Sequence, residues 1–184
     1  MKVFYISYIL IDMNTINKKN FFKKKTLVAN NGNEVSFCLD RGGIISSLKL
    51  SGKETLYFDN ETFLNSDKSI RGGIPILFPN AGPVQTTSFL GQLPQHGFVR
   101  DMQWQGSLYK NFFENKITSS KETLNIYPYD FILTTKGFFN DDGSFTFSQK
   151  IENTGKEILP ISCGLHPYFK VNNSEKKNIV FNFS

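Results

Sequence analysis

Apolar and polar residues alternate along much of this chain with a period of two, the spacing of a strand that buries one face. Val35, Phe37 and Leu39 alternate with Glu34, Ser36 and Cys38. After a turn or bulge at Arg41-Gly42-Gly43, residues 44–50 give a second strand with imperfect alternation. Gly52-Lys53 turns the chain into a further run over 55–58, and residues 59–70 are polar and irregular. Beyond Asp101 the pattern predicts strands over 103–105, 107–109, 116–120, 122–127 and 131–139. Asn140-Asp141-Asp142-Gly143 is the clearest hairpin signal, because Asp-Gly suits a tight primed or bulged turn. Phe145, Phe147 and Gln149 resume the alternation, Asn153–Lys156 turns, and strands are predicted over 158–163 and 179–183. There is no amphipathic helix of ordinary length, no internal repeat and no low-complexity linker. The expectation is one all-β domain of short antiparallel strands.

One stretch breaks this rhythm. Residues 71–101 are dense in Gly and Pro, with Arg71-Gly-Gly-Ile-Pro75 near the start and Leu93-Pro-Gln-His-Gly-Phe-Val-Arg-Asp101 at the end. Its prolines fix φ and remove donors, which excludes an ordinary helix or central strand. Its glycines permit positive φ or close backbone approach. Arg71, His96 and Arg100 are the side chains there that can grip an anionic or hydroxylated ligand. The alternative is a folded surface loop joining two sheets.

Composition changes this picture little. With 184 residues and 19 phenylalanines the chain can bury a real core. The net charge of +5 is local: without Lys18, Lys19, Lys23, Lys24 and Lys25 the chain carries 16 basic and 16 acidic residues. Such a cluster near a terminus reads as a solvated tail, and no RNA-binding aromatic signature accompanies it, so nucleic acid is not an expected partner. The apolar run at 3–11 is too short to span a bilayer and lacks a cleavage site. Met13 is an alternative start of translation. Residues 1–26 are therefore expected to be a poorly ordered N-terminal extension and 27–184 the domain, in a soluble, cytoplasmic protein. Cys38 and Cys163 lie far apart and read as reduced, inert thiols. Cys163-x-x-His166 is the one short metal-ligand spacing, too little to imply zinc.

The chain has two histidines, each beside special backbone. His96 lies between Pro94 and Gly97; His166 ends a predicted strand and precedes Pro167. An imidazole held this way can act as general acid or base near neutral pH; the alternative is a structural histidine bonded to a carbonyl. Arg71 and Arg100 can hold phosphate or carboxylate bidentately, or else pair with a neighbour such as Asp101. Tyr168 and Phe169, with Trp104, are candidates for a flat apolar face against a sugar ring. No Walker loop, GxGxxG, HExxH or GxSxG is present.

Three motifs in this order, Arg71-Gly-Gly-Ile-Pro75, Leu93-Pro-Gln-His-Gly-Phe-Val-Arg100 and Gly164-Leu-His-Pro-Tyr-Phe169, resemble the aldose 1-epimerases (mutarotases), nearest to the branch acting on hexose 6-phosphates. The resemblance runs from about Val28 onward. It implies a galactose mutarotase-like antiparallel β-sandwich (supersandwich) and an isomerase that interconverts sugar anomers by acid/base ring opening. By the matched motifs His166 would be the acid and His96 would stabilise the transition state, and the resemblance implies no metal and no organic cofactor. Arg71, Arg100, Gln95 and Tyr168 would bind the sugar or its 6-phosphate. Family members continue for roughly a hundred residues past the His-Pro-Tyr-Phe motif, a size ordinary for sandwiches. The family's catalytic base is a Glu in that distal part; the late carboxylate here, Glu175, has no motif support. The expectation is thus a sandwich lacking its C-terminal third. Three readings follow: a mutarotase-like isomerase, a non-catalytic sugar or sugar-phosphate binder, or an inactive fragment.

Overall fold

The computed structural model describes residues 22–84 and 93–182. The run at 3–11, Met13 and nearly all of the expected N-terminal extension lie outside these described residues. Strands β1 (Lys24–Val28), β2 (Glu34–Cys38), β3 (Ile44–Leu50) and β4 (Lys53–Glu54) form one antiparallel sheet in sequence order. After the two-residue strand β5 (Ile76–Leu77), strands β6 (Gln105–Leu108), β7 (Phe112–Thr118), β8 (Phe131–Phe139) and β9 (Phe145–Asn153) form a second sheet, also in sequence order. A last short strand, β10 (Gly164–Leu165), returns to pair with β5.

Period-two patterning sets the faces. On β7 and β8, Phe113, Ile117, Phe131 and Leu133 point into the molecule and are buried, while their neighbours along each strand are more open. The two sheets meet face to face, with Phe37 of β2 stacked on Phe113 of β7 at 4.2 Å between ring centroids. Each such side chain withdrawn from water contributes about 1.5–3 kcal/mol. The other end of the second sheet is covered by residues of the 71–84 and 93–101 segments, through Ile76, Phe78 and Val99, with Trp104 just beyond them. A third cluster, Cys38, Ile44, Phe63 and Ile70, lies under a short helix α1 (Asn60–Leu64). Members of β3 therefore enter two clusters, Ile45 and Leu48 in one and Ile44 in the other, which is why its alternation is imperfect. The Asn140–Gly143 hairpin forms as expected: Phe139 faces Phe145, and the Asn140 N–H donates to the Ser144 carbonyl.

Several local expectations are corrected. Residues 122–127 are not a strand; a helix α2 (Lys121–Ile126) forms there. Ser120 starts it with a capping box, its Oγ accepting from the Thr123 N–H while Thr123 Oγ1 accepts from the Ser120 N–H. Two reciprocal bonds outweigh a short alternating run. The preceding strand is displaced towards Phe112. Residues 158–163 make only the Asn80–Ser162 bridge. Pro160 has no N–H for a ladder, and its carbonyl instead accepts from the Tyr127 hydroxyl at 2.7 Å. Residues 179–182 form no strand. Trp104 lies outside β6 and inside the core, 3% exposed, its Nε1–H donating to the Val99 carbonyl; it is not part of a sugar-binding face. Lys24 and Lys25 are not a solvated tail. They belong to β1, where the Lys24 Nζ lies over the Phe58 and Phe63 rings and the Lys25 Nζ donates to the Gly106 carbonyl.

Candidate active site

The 73–81 segment is the spine of the site, and both histidine-bearing segments bond to it. On one side Gly164 and Leu165 pair with Leu77 and Ile76, and the His166 N–H donates to the Pro75 carbonyl at 3.1 Å. The Tyr168 N–H continues the row to the Gly73 carbonyl at 2.9 Å. On the other side the Phe98 N–H donates to the Phe78 carbonyl at 3.1 Å. This double attachment is a backbone arrangement, and it explains the Gly and Pro content. A Cβ on Gly97 would lie far inside van der Waals contact with the Phe78 carbonyl oxygen, and the residue has φ 68°.

His96 itself sits at φ 73°, in the left-handed region where His is tolerated better than most residues. The Pro94–Gly97 turn is closed by the Gly97 N–H to the Pro94 carbonyl. Asn80 braces it from below: its Nδ2 donates to both the Gly82 and Pro94 carbonyls at 2.9 Å. Nothing in sequence reasoning singled out Asn80. The signal was there, an amide inside the Pro79–Gly82 turn-forming run, but its second bond crosses 14 residues.

The His96 and His166 rings, 70 residues apart in the chain, meet edge to face at 5.4 Å between centroids. The Nδ1–H of His96 donates to the Ala81 carbonyl. That fixes its tautomer, so the neutral ring presents Nε2 as an acceptor. Tyr168 stacks on His166 at 4.7 Å and 27°. Beside Tyr168 opens a cavity of about 410 Å³, shared with Tyr57, Phe169 and Lys170. Among the described residues no carboxylate bonds either histidine, and no three His, Cys, Asp or Glu side chains converge as a metal set. Cys38 is buried in the cluster under α1, and Cys163 is partly open.

The structure thus brings His96, His166 and Tyr168 together. Gln95 is exposed in the turn next to His96. Arg71 is also exposed, two residues before the Gly73 that holds Tyr168, and its side chain has no partner among the described residues. Arg100 is turned elsewhere, with Nη2 3.4 Å from Ser69 Oγ and Nε 3.5 Å from Asp101 Oδ2. Phe169 is half exposed, against Phe181.

Known proteins match this fold and these segments. A galactose mutarotase-like protein from Lactobacillus casei ATCC 334 shares the fold, with a TM-score of 0.66 at 22% identity over 82% of this chain and 51% of that one. The Slr1438 protein from Synechocystis sp. PCC 6803 superposes with a TM-score of 0.75 at 29% identity, covering 93% of this chain and 59% of its own. Two curated relatives carry the name "Putative glucose-6-phosphate 1-epimerase". The one from Cenchrus ciliaris is 29% identical over 143 residues, 71% of this chain and 42% of that protein. The one from Escherichia coli K12 is 26% identical over 151 residues, 79% and 48% respectively. The chain therefore spans about half the length of the curated relatives it matches. The sequence model of the aldose 1-epimerases matches residues 24–181, and the chain belongs to the aldose 1-epimerase family.

Proposed function

We propose that this protein interconverts the α and β anomers of a hexose, with hexose 6-phosphate as its substrate class. One observation carries the reading: two histidines from distant segments meet at 5.4 Å, one oriented by a carbonyl and the other stacked on a tyrosine. In ring opening His166 donates a proton to the ring oxygen as the C1–O5 bond breaks, and the anomeric hydroxyl loses its proton to a base as C1 becomes a carbonyl. Rotation about C1–C2 and the reverse transfers close the ring on the other face. Neutral His96 accepts through Nε2 from a sugar hydroxyl, and only when protonated does it donate from Nε2 to the ring oxygen. By the family resemblance the base is a glutamate in the part of the fold that the matched segment of the relatives does not include. Tyr168 links the histidines to the neighbouring cavity, which is of small-molecule size, about 300–1,000 Å³, but is not itself lined by either histidine. Arg71 and Gln95, both exposed, bind the hydroxyls and phosphate; Arg100, loosely paired with the half-exposed Asp101, joins them only by turning away from Ser69. Two free thiols suit a reducing, cytoplasmic setting.

Proton NMR with glucose 6-phosphate tests this, because magnetisation exchange between the anomeric protons reports turnover directly. Accelerated exchange that falls about 10²–10⁴-fold in His166→Ala, the range for loss of a general acid, supports the reading. Saturable binding without exchange would replace it with a sugar-phosphate binder.

A further inference from the structure

Arg71 is the proposed anion contact, and its backbone is locked from both sides by the first turn of α1. The Asp59 N–H donates to the Arg71 carbonyl at 2.9 Å. The Arg71 N–H donates to Thr62 Oγ1 at 3.0 Å, while that same hydroxyl donates to the Asp59 carbonyl at 3.2 Å. Asp59 is also the N-cap of α1, its Oδ1 accepting from the Glu61 and Thr62 N–H groups. A five-residue helix is too short to hold itself in water. What holds its far end is Arg41, whose Nη2 donates to the carbonyls of Thr62, Asn65 and Lys68 at 3.1–3.4 Å. Arg41 is 4% exposed, faces the Phe22 ring and has no carboxylate within ion-pair distance among the described residues. A buried cation with only carbonyl acceptors is expensive unless it has structural work to do.

We infer that Arg41 and Thr62 are positioning residues for Arg71: the buried guanidinium clamps α1, and the Thr62 hydroxyl transmits that clamp to the Arg71 backbone, so that the two set the preference for a phosphorylated over a neutral sugar. The inference rests on the reading of Arg71 as an anion contact. It differs from a purely structural role in what it changes. A structural loss lowers melting temperature and weakens every ligand alike, whereas a misplaced Arg71 weakens only the anionic ligand.

The test measures dissociation constants for glucose 6-phosphate and for glucose by NMR titration of the whole chain, with Thr62→Val, Thr62→Ser, Arg41→Lys and Arg71→Met. Thr62→Val keeps the shape and removes the acceptor, so it stays folded where loss of Arg41 risks unfolding. The expected result is at least a fivefold fall in the phosphate preference for Thr62→Val, restored by Thr62→Ser, together with faster amide exchange at Arg71. Arg41→Lys keeps the charge, but its shorter side chain carries the ammonium less far towards the three carbonyls that Nη2 reaches, and should show a partial fall. If Arg71→Met lowers the preference and Thr62→Val does not, the inference is overturned while the function stands. If Arg71→Met leaves the preference unchanged, the reading of Arg71 is wrong and the inference goes with it.

Discussion

The double sheet and the woven segments at 71–81, 93–101 and 162–169 are held by different forces. In the sheets, paired strands up to nine residues long bury alternating apolar faces against each other. In the weave the pairings are two residues long or single bridges: Gly164–Leu77, Phe78–Gly97, Asn80–Ser162 and Phe58–Gly72. Ile76, Phe78, Phe98 and Val99 still pack into the core there, but backbone bonds and tight glycine contacts, not long ladders, set how the segments cross. The histidine pair belongs to the weave. A site built this way places side chains accurately only where every strut is present, but it does not need a contiguous strand to carry them. The sheets supply stability and the weave supplies geometry, and the two should respond separately to mutation.

The largest expected effect lies in the sheets. Phe113→Ala removes a ring that is fully buried between β2 and β7 and should cost about 3–5 kcal/mol in urea unfolding. The ring-to-ring signals of His96 and His166 should persist in the folded fraction, since Phe113 lies in the cluster away from them. Loss of those signals at full folding would show that the division between framework and site is false. Gly97→Ala is the complementary change. It adds one methyl group where the Phe78 carbonyl leaves no room, at a φ that disfavours a side chain. Strain of this kind is of order 1–3 kcal/mol, less than the Phe113 loss. Its effect on the site should be greater: the Pro94–Gly97 turn must shift, and the nuclear Overhauser contact between the two imidazoles should weaken or vanish. A Gly97→Ala protein with an intact contact would mean that the turn is held by Asn80 alone.

What the sequence disclosed follows the same division. The hairpin at Asn140–Gly143, the strands flanking it and the all-β class were legible because period-two burial and an Asp-Gly turn are local signals. His96 and His166 were marked as candidates by the Gly and Pro residues around them and the family motifs they sit in, but their meeting in space was not. Trp104 was misplaced for a definite reason. Its ring is amphipathic and fits equally a sugar face or a core with one carbonyl to satisfy, and only tertiary context decides. Helix α2 was misread because the Ser120–Thr123 capping box lacks the usual Glu or Gln and covers barely two turns. The Arg41 clamp was not legible at all, since its three acceptors are backbone carbonyls over 62–68, which no side-chain pattern announces.

The smallest expected effect returns to the framework, at a turn that leans on a side chain. Asp142 Oδ1 accepts from both the Ser144 N–H at 2.8 Å and the Ser144 hydroxyl at 2.6 Å. These bonds favour the charged form and hold the carboxyl below its ordinary range, the hydroxyl bond first among the causes. The sign follows from linkage. A carboxyl with a depressed folded pKa stabilises the fold above its unfolded value, about 3.9, and that contribution is lost as pH falls through the folded value. Ser144→Ala removes the hydroxyl and keeps the N–H. The Asp142 titration midpoint, followed by NMR of the carboxyl, should rise towards 3.9, and the acid-induced drop in melting temperature should shrink slightly. The hairpin register between Phe139 and Phe145 should not move, because the pairing of β8 and β9 holds it. A register slip would instead show that this turn, like the weave, depends on its individual bonds, and that the boundary between the two regions runs through the second sheet.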